Sequence, residues 1–517
     1  MSERPTVHVD GTTLSPQEVM MVAKQQAIVA VSEDAWPAIH AARAVVERIV
    51  NTGETVYGIN TGFGALVHER ISSDDLAALQ LNLIRSHATA LGELMRVEAV
   101  RAMMLIRLNS LCKGHSGIHP DCIRQLALYL NHGIHPAIPR IGSLGASGDL
   151  APLSHLALAL IGEGEVLVDD VPVPTEQVLF DKGLIAVELT AKDGLSLING
   201  TSQMTAYATI AQQELSELLL LADLILGASM DARSCSLTPS RPEIHLARAH
   251  SGQMVVAERL RSILADSEIL NQHRDCDRVQ DAYSFRCAPQ VHGAVYESFK
   301  RLEDVIRIEL NSATDNPLIF PEPDNPGAHE VVSQGNFHGE IIALTCDAMS
   351  LAAFELGSIS ERRMDQMLDP ARSGLPAFLA KNSGLESGLM IVQYVAGSSL
   401  SEMHGNTTPR SAFSTTTSAG QEDHVSMGAT AAWNLRCTVR RLSEVLACEL
   451  LIASEALEYA AHDSSPYVRS LIQRVRTVSG PLAGDRSTSA ELKQLADALR
   501  NGGWLARIEA ENGRLSR

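Results

Sequence analysis

The stretch 442–459, LSEVLACELLIASEALEY, decides the fold class. Its residues Leu442, Val445, Cys448, Ile452, Ala456 and Tyr459 recur at i+3 or i+4, which draws one apolar stripe along a helix. Such a stripe is read as core or helix-bundle packing. Working outward, residues 203–460 read as mostly long helices separated by polar breaks. Aromatic residues make up only 4% of the chain while Ala and Leu dominate, which points to helix and away from a β-sandwich. The expected fold is mainly α: a long central helical bundle with a small N-terminal α+β portion. Two domains are expected, residues 1–200 and residues 201–517, the latter including the C-terminal helices.

The N-terminal part carries its own signals. Val7 to Thr12 reads as a short strand and turn. Ser15-Pro16-Gln17-Glu18 fits a capping box that opens a helix. Residues 53–70 hold Gly53, Gly58, Gly62 and Gly64 and read as a flexible loop. Residues 136–150 form a second loop, with Pro136, Pro139, Gly142, Gly145 and Gly148. An apolar helix follows from Ala151 to Ile161. Val166 to Val173 reads as a hairpin turning over Asp169-Asp170. Gly480 to Gly484 is a late loop before a final amphipathic helix.

Composition excludes several functions. Lys plus Arg number 42 and Asp plus Glu 61 among 517 residues, a net charge of −19. That charge repels nucleic acid and anionic membrane and suits a small substrate in an interior pocket. No run of 18 uncharged apolar residues occurs, so no transmembrane helix is expected, and MSERPTVHVDG lacks the apolar region of a signal peptide. The eight cysteines are scattered without a CxxC, as in a reduced, cytoplasmic protein. Neither GxGxxG after a strand nor GxxxxGK[ST] occurs, so there is no nucleotide-site signal. The histidine pairs His115/His119, His132/His135 and His245/His250 lack metal-ligand context, and no metal is expected. The Gly-Ser-Ser loop with Met, Pro and Lys that marks fumarase-type helical lyases is also missing.

Gly142-Ser143-Leu144-Gly145-Ala146-Ser147-Gly148-Asp149-Leu150 is the most informative loop. By itself it reads as a glycine-rich helix start with Asp149 near the positive end of the dipole. Ala146-Ser147-Gly148 in this setting resembles the signature of the aromatic amino-acid ammonia-lyase and 2,3-aminomutase family. Further matches follow in family order. Tyr57 to Gly64, YGINTGFG, resembles the inner lid loop, and Asn199-Gly200-Thr201 the NGT motif. Gln280 to Cys287, QDAYSFRC, Asp315-Asn316-Pro317, Gly335 to Gly339, GNFHG, and Gln421 to Gly428, QEDHVSMG, complete the series.

The resemblance implies that the N-terminal portion carries the lid loop and the prosthetic-group loop. It implies that Ala146, Ser147 and Gly148 cyclise with loss of water to 4-methylidene-imidazol-5-one, an electrophile no ordinary side chain supplies. The residue types suit that chemistry. The Gly148 nitrogen must attack the Ala146 carbonyl carbon, a tight approach that glycine allows. Ser147 provides the hydroxyl that leaves as water, and small Ala146 leaves room above the ring. No other cofactor is implied.

The same resemblance implies the remaining roles. Tyr57 is the base that takes the β-proton, and its phenol must fall below the free value of about 10 to act near neutral pH. Arg286 binds the substrate carboxylate through its guanidinium fork, with a structural ion pair as the competing reading. Tyr283 and Asn199 hold the prosthetic oxygen or the substrate amine. Gln280 and Phe337 line the pocket, whereas Asn336 and His338 fit packing between helices as well. The long apolar stripes at 340–360 and 440–460, with the resemblance, imply a homotetramer whose active sites are shared between chains.

Substrate choice turns on a few residues. Ser86-His87 stands where this family discriminates substrates, and His87 suits an imidazole or a phenol but not an apolar ring. Glu422 suits imidazole and favours histidine. Ser202 after the NGT motif and Ser418-Ala419-Gly420 before Gln421 resemble tyrosine aminomutases. The expectation is therefore a tyrosine 2,3-aminomutase of secondary metabolism, giving β-tyrosine with 4-coumarate as intermediate or by-product. The alternatives are a histidine ammonia-lyase, or a tyrosine ammonia-lyase without mutase activity.

Overall fold

The computed structural model describes residues 4–56, 58–61, 71–72, 75–273, 279–322 and 329–517. It is 60% helix and 8% strand, the mainly α fold expected, with small sheets in the N-terminal region. The chain divides into two compact units. One comprises residues 1–213, 303–347 and 409–433; the other comprises 214–302, 348–408 and 434–517. Four of the five boundaries fall within the helices Ser202–Ala232, Ala288–Glu309, Glu340–Leu368 and Gly428–Leu457, and the fifth lies between Thr408 and Pro409, outside any helix.

In the first unit, strand Thr6–Val9 pairs in parallel with Ile28–Val31. The helix Pro16–Ala23 opens with the expected capping box of Ser15 and Glu18. The helix Val97–Cys112 is buried on every side from Ala99 to Cys112, as a central core helix is, and takes Arg101, Arg107 and Asn109 into the interior with it. Val166 and Val173 pair in an antiparallel hairpin whose turn places Asp169 and Asp170 at φ +49° and +62°. Two left-handed central residues match the right-handed twist of the strands, and aspartate tolerates that region.

The opening stripe lies in the helix Gly428–Leu457, where Leu442, Val445, Cys448, Ile452 and Ala456 are all buried. Tyr459 falls beyond the helix end and is 37% exposed, so the stripe is one residue shorter than the spacing implies. Within the second unit this helix also buries Glu449. Its carboxylate accepts from Arg363 Nε at 2.5 Å and Nη2 at 2.8 Å, and from the hydroxyls of Ser229 and Ser360. A buried carboxylate persists only with such complete pairing.

The helix Glu340–Leu368, contrary to the expectation that no helix would, is long and apolar enough to cross a membrane, with a window of mean hydropathy 1.4. Of that window, 56% is buried inside the protein.

Candidate active site

Ala146, Ser147 and Gly148 lie between the strand Pro139–Ile141 and the helix Leu150–Leu160. Backbone contacts from three segments of the first unit fix this loop. Gly339 N–H and the Ser426 hydroxyl donate to the Gly145 carbonyl at 3.0 and 2.9 Å, and Met427 N–H donates to Leu144 O at 2.9 Å. Asp149 N–H donates to Gly200 O at 2.7 Å. Gly148 sits at φ +77°, and a Cβ there would come within 2.1 Å of Gly200 O and 2.4 Å of its carbonyl carbon. No side chain fits that approach, so glycine is required both by torsion and by space.

The Asp149 carboxylate is wholly buried. It accepts from the Ser143 hydroxyl at 2.7 Å, from Gln203 N–H at 2.7 Å and from Met204 N–H at 3.1 Å. The last two are first-turn amides of the helix Ser202–Ala232, which have no intrahelical partner. Asp149 thus ties the loop to the segment that carries Asn199. Burial pushes its carboxyl up to about 6 against these three hydrogen bonds.

Ser147 opens onto a cavity of about 1010 Å³ in the same unit, lined among others by His87, Ala146, Asn199, Phe337, His338 and Glu422. The Ser147 hydroxyl donates to Glu422 Oε1 at 2.6 Å. Asn199 Nδ2 donates to the Ser147 carbonyl oxygen at 2.9 Å, and Asn199 Oδ1 is buried without a partner among the described residues. The second carboxylate oxygen of Glu422 accepts from the Thr417 hydroxyl at 2.7 Å. Thr417 and Glu422 also exchange backbone hydrogen bonds of 2.9 and 3.3 Å across a turn in which Ser418 and Ala419 take positive φ. This clamp on Glu422 was not foreseen. A lone threonine in a Ser/Thr-rich stretch carries no distinguishing signal.

His87 ends the helix Leu76–His87. The Ser86 hydroxyl donates to Leu83 O at 3.0 Å, so His87 Nδ1, 3.0 Å from the same hydroxyl oxygen, acts as its donor. Its Nε2 then carries the lone pair. Burial holds the imidazole below its usual range, against the Leu83 carbonyl and the Glu422 carboxylate, which both favour the charged form.

The other expected site residues lie elsewhere. Gln280, Tyr283 and Arg286 belong to the second unit and do not line the Ser147 cavity. Gln280 and Arg286 line a cavity of about 920 Å³ with Ser234, His273 and Cys287. The Arg286 guanidinium lies 4.6 Å from the ring centre of Tyr283, which is 69% exposed. Tyr57 lies outside the described residues. Its neighbour Gly58 packs close to Leu195, which lines the Ser147 cavity. Asn336 lines a different cavity of the first unit, beside His115 and Asn311.

The residues fit the prosthetic group. A cradle that any Cβ would fill surrounds Gly148, and the Ser147 oxygen is already held by Asn199, whose Oδ1 is buried and has no partner among the described residues.

Residues 14–477 match the family model described as "Aromatic amino acid lyase". The histidine ammonia-lyase of Myxococcus xanthus is 45% identical over 456 residues, covering 88% of this chain and 89% of that protein. The crystal structure of histidine ammonia-lyase from Trypanosoma cruzi superposes with a TM-score of 0.90 at 39% identity, covering 98% of this chain and 95% of that one. The tyrosine aminomutase from Streptomyces globisporus superposes with a TM-score of 0.93 at 36% identity, covering 99% and 100%.

These likenesses correct the expected tyrosine 2,3-aminomutase. The chain is more similar in sequence to histidine ammonia-lyases, at 45% and 39%, than to the aminomutase at 36%. The structure shows why one signal misled. Ser202 is buried at the start of its helix and does not line the cavity, whereas Glu422, which argued for histidine, does.

Proposed function

The chain belongs to the aromatic amino acid lyase family, and on that premise we propose that it is a histidine ammonia-lyase, converting L-histidine to urocanate and ammonia. The observation that carries this reading is the Glu422 carboxylate, held by Thr417 and Ser147 inside the cavity that His87 lines. A carboxylate accepts an imidazole N–H in a charge-assisted hydrogen bond, which a phenylalanine ring cannot offer. Neutral His87 adds an acceptor at Nε2.

The 4-methylidene-imidazol-5-one formed from Ala146, Ser147 and Gly148 supplies the electrophile for the amine to be eliminated. Asn199 Nδ2, which donates to the Ser147 carbonyl oxygen, would hold that oxygen of the group and favour negative charge there. When Ser147 loses its hydroxyl, Glu422 Oε1 loses that donor and is left to the substrate imidazole. Tyr57 takes the β-proton. Arg286, with Gln280 and Tyr283, binds the substrate carboxylate from another copy of the chain in a homotetramer, as the family resemblance implies.

The test is to incubate purified protein with L-histidine and measure urocanate and ammonia together. Equal amounts of both, and their loss in Ser147→Ala, are expected. Undiminished turnover by Ser147→Ala would overturn the reading. So would an intact mass of the wild-type chain that has not lost two waters.

A further inference from the structure

His338, Glu340 and His424 have no role above, yet one donor atom of each lies within 4.8 Å of the other two. Both histidines line the Ser147 cavity. Their rings stack 5.7 Å apart at an interplanar angle of 7°. His424 Nε2 stands 3.8 Å from Glu340 Oε2, too long for a hydrogen bond, and that buried oxygen has no hydrogen-bond partner among the described residues.

The other nitrogen of each ring is already engaged. His338 Nε2 lies 3.3 Å from the His424 carbonyl oxygen, and His424 Nδ1 lies 3.4 Å from the Ser414 hydroxyl. This is how metal-binding histidines are held: the carbonyl requires a proton on His338 Nε2 and leaves Nδ1 its lone pair, and the Ser414 hydroxyl can accept from His424 Nδ1–H, the tautomer that leaves Nε2 free. His338 Nδ1, His424 Nε2 and Glu340 Oε2 remain as donors. Two imidazoles and a carboxylate suit a zinc-type ion, with bonds of about 2.0–2.2 Å. His424 is 64% exposed, so its ring can move the short way needed to close the set. Three protein ligands leave a fourth position open.

We propose that His338, Glu340 and His424 form a binding site for a divalent zinc-type ion at the substrate cavity, and that the bound ion slows turnover. The open position would draw the amine or imidazole of an entering amino acid away from Glu422. The ion-binding part does not depend on which amino acid the enzyme uses.

The experiment uses tag-free, full-length mature enzyme stripped with chelator. Zinc binding is measured by equilibrium dialysis, and Co²⁺ serves as a spectroscopic probe. One zinc ion per chain is expected, with visible cobalt bands typical of four-coordinate nitrogen and oxygen ligation. His424→Gln and Glu340→Gln should each weaken zinc binding by about 10-fold or more and abolish those bands. Glu340→Gln keeps the shape of a side chain whose Oε2 holds no hydrogen bond among the described residues, so it decides the matter if His424→Gln does not fold. Turnover should fall on adding zinc and return with chelator. Absence of stoichiometric zinc, or unchanged affinity in a folded variant, overturns the site. Stoichiometric binding without loss of turnover overturns its inhibitory role.

Discussion

Asp149 is the residue whose removal tests most stringently how the reactive loop is held. Asp149→Ala strands the Gln203 and Met204 amides and the Ser143 hydroxyl, which now donate to a wholly buried carboxylate. Each buried donor left unpaired costs about 1–3 kcal/mol, and water entering the gap recovers part of it, so the loss is about 3–6 kcal/mol. A chain of 517 residues gains about 2.1 cal/mol/K per residue on unfolding, so each kcal/mol moves Tm by about 1 °C. Asp149→Ala should therefore melt about 3–6 °C below wild type, with a smaller fraction of chains cyclised. Asp149→Asn keeps an oxygen for the two amides and should lose about 1 °C at low pH.

The pH dependence has a definite sign. Burial raises the folded-state carboxyl from 3.8 to about 6, so its contribution is fully present below 3.8 and is lost as pH rises through about 6. That gap is worth about 3 kcal/mol at pH 7. The Tm of wild type relative to Asp149→Asn should then fall by about 3 °C between pH 4 and pH 7. Differential scanning fluorimetry across that range reads it. An Asp149→Ala protein that melts with wild type, or a wild-type-minus-Asn difference that is flat or rises with pH, would refute the reasoning.

Gly148→Ala should fold yet fail to mature, because its Cβ would stand 2.1 Å from the Gly200 oxygen; intact mass should retain both waters, and a cyclised chain would count against the cradle. Glu422→Gln should lower kcat/KM for L-histidine about 100-fold per matured site, the worth of a charged hydrogen bond of about 2–3 kcal/mol. A fall below threefold would remove Glu422 from substrate recognition. Inactive Ser147→Ala and inactive Arg286→Ala chains, unfolded and reassembled together, should recover activity in roughly a quarter of the sites by random association. Confirmed mixed oligomers without recovery would mean that Arg286 serves its own chain.

Local chemistry was legible in the sequence wherever neighbours along the chain supply the partners. Ser15 and Glu18 form the capping box their spacing implies, and Asp169 and Asp170 make the turn between Val166 and Val173. Ala146, Ser147, Asn199, Phe337, His87 and Glu422 do share one cavity. What stayed hidden depends on distant contacts. Asp149 looked like a cap for its own helix, but it accepts no hydrogen bond there and instead caps a helix that begins 53 residues later. Thr417 gains meaning only because the chain turns back on Glu422. Motif order cannot tell whether Arg286 faces Ser147 of its own chain. The substrate reading weighted Ser202, which is close in sequence to Asn199 but does not face the cavity, and Ser418 to Gly420, of which Ser418 lines it without identifying the substrate.

The central claim, that Glu422 makes this an enzyme for histidine, is tested most directly by kcat/KM for L-histidine and L-tyrosine on the same matured preparation. Products are identified by chromatography and mass spectrometry. A cavity built around a polar contact rejects a substrate that cannot make it, such as phenylalanine, by as much as about 10⁴-fold; the tyrosine phenol can also donate to Glu422, so the margin over tyrosine is smaller. The account predicts urocanate as the product, with L-histidine favoured over L-tyrosine by at least about 100-fold. Equal or greater efficiency with L-tyrosine, giving 4-coumarate or β-tyrosine, would contradict it.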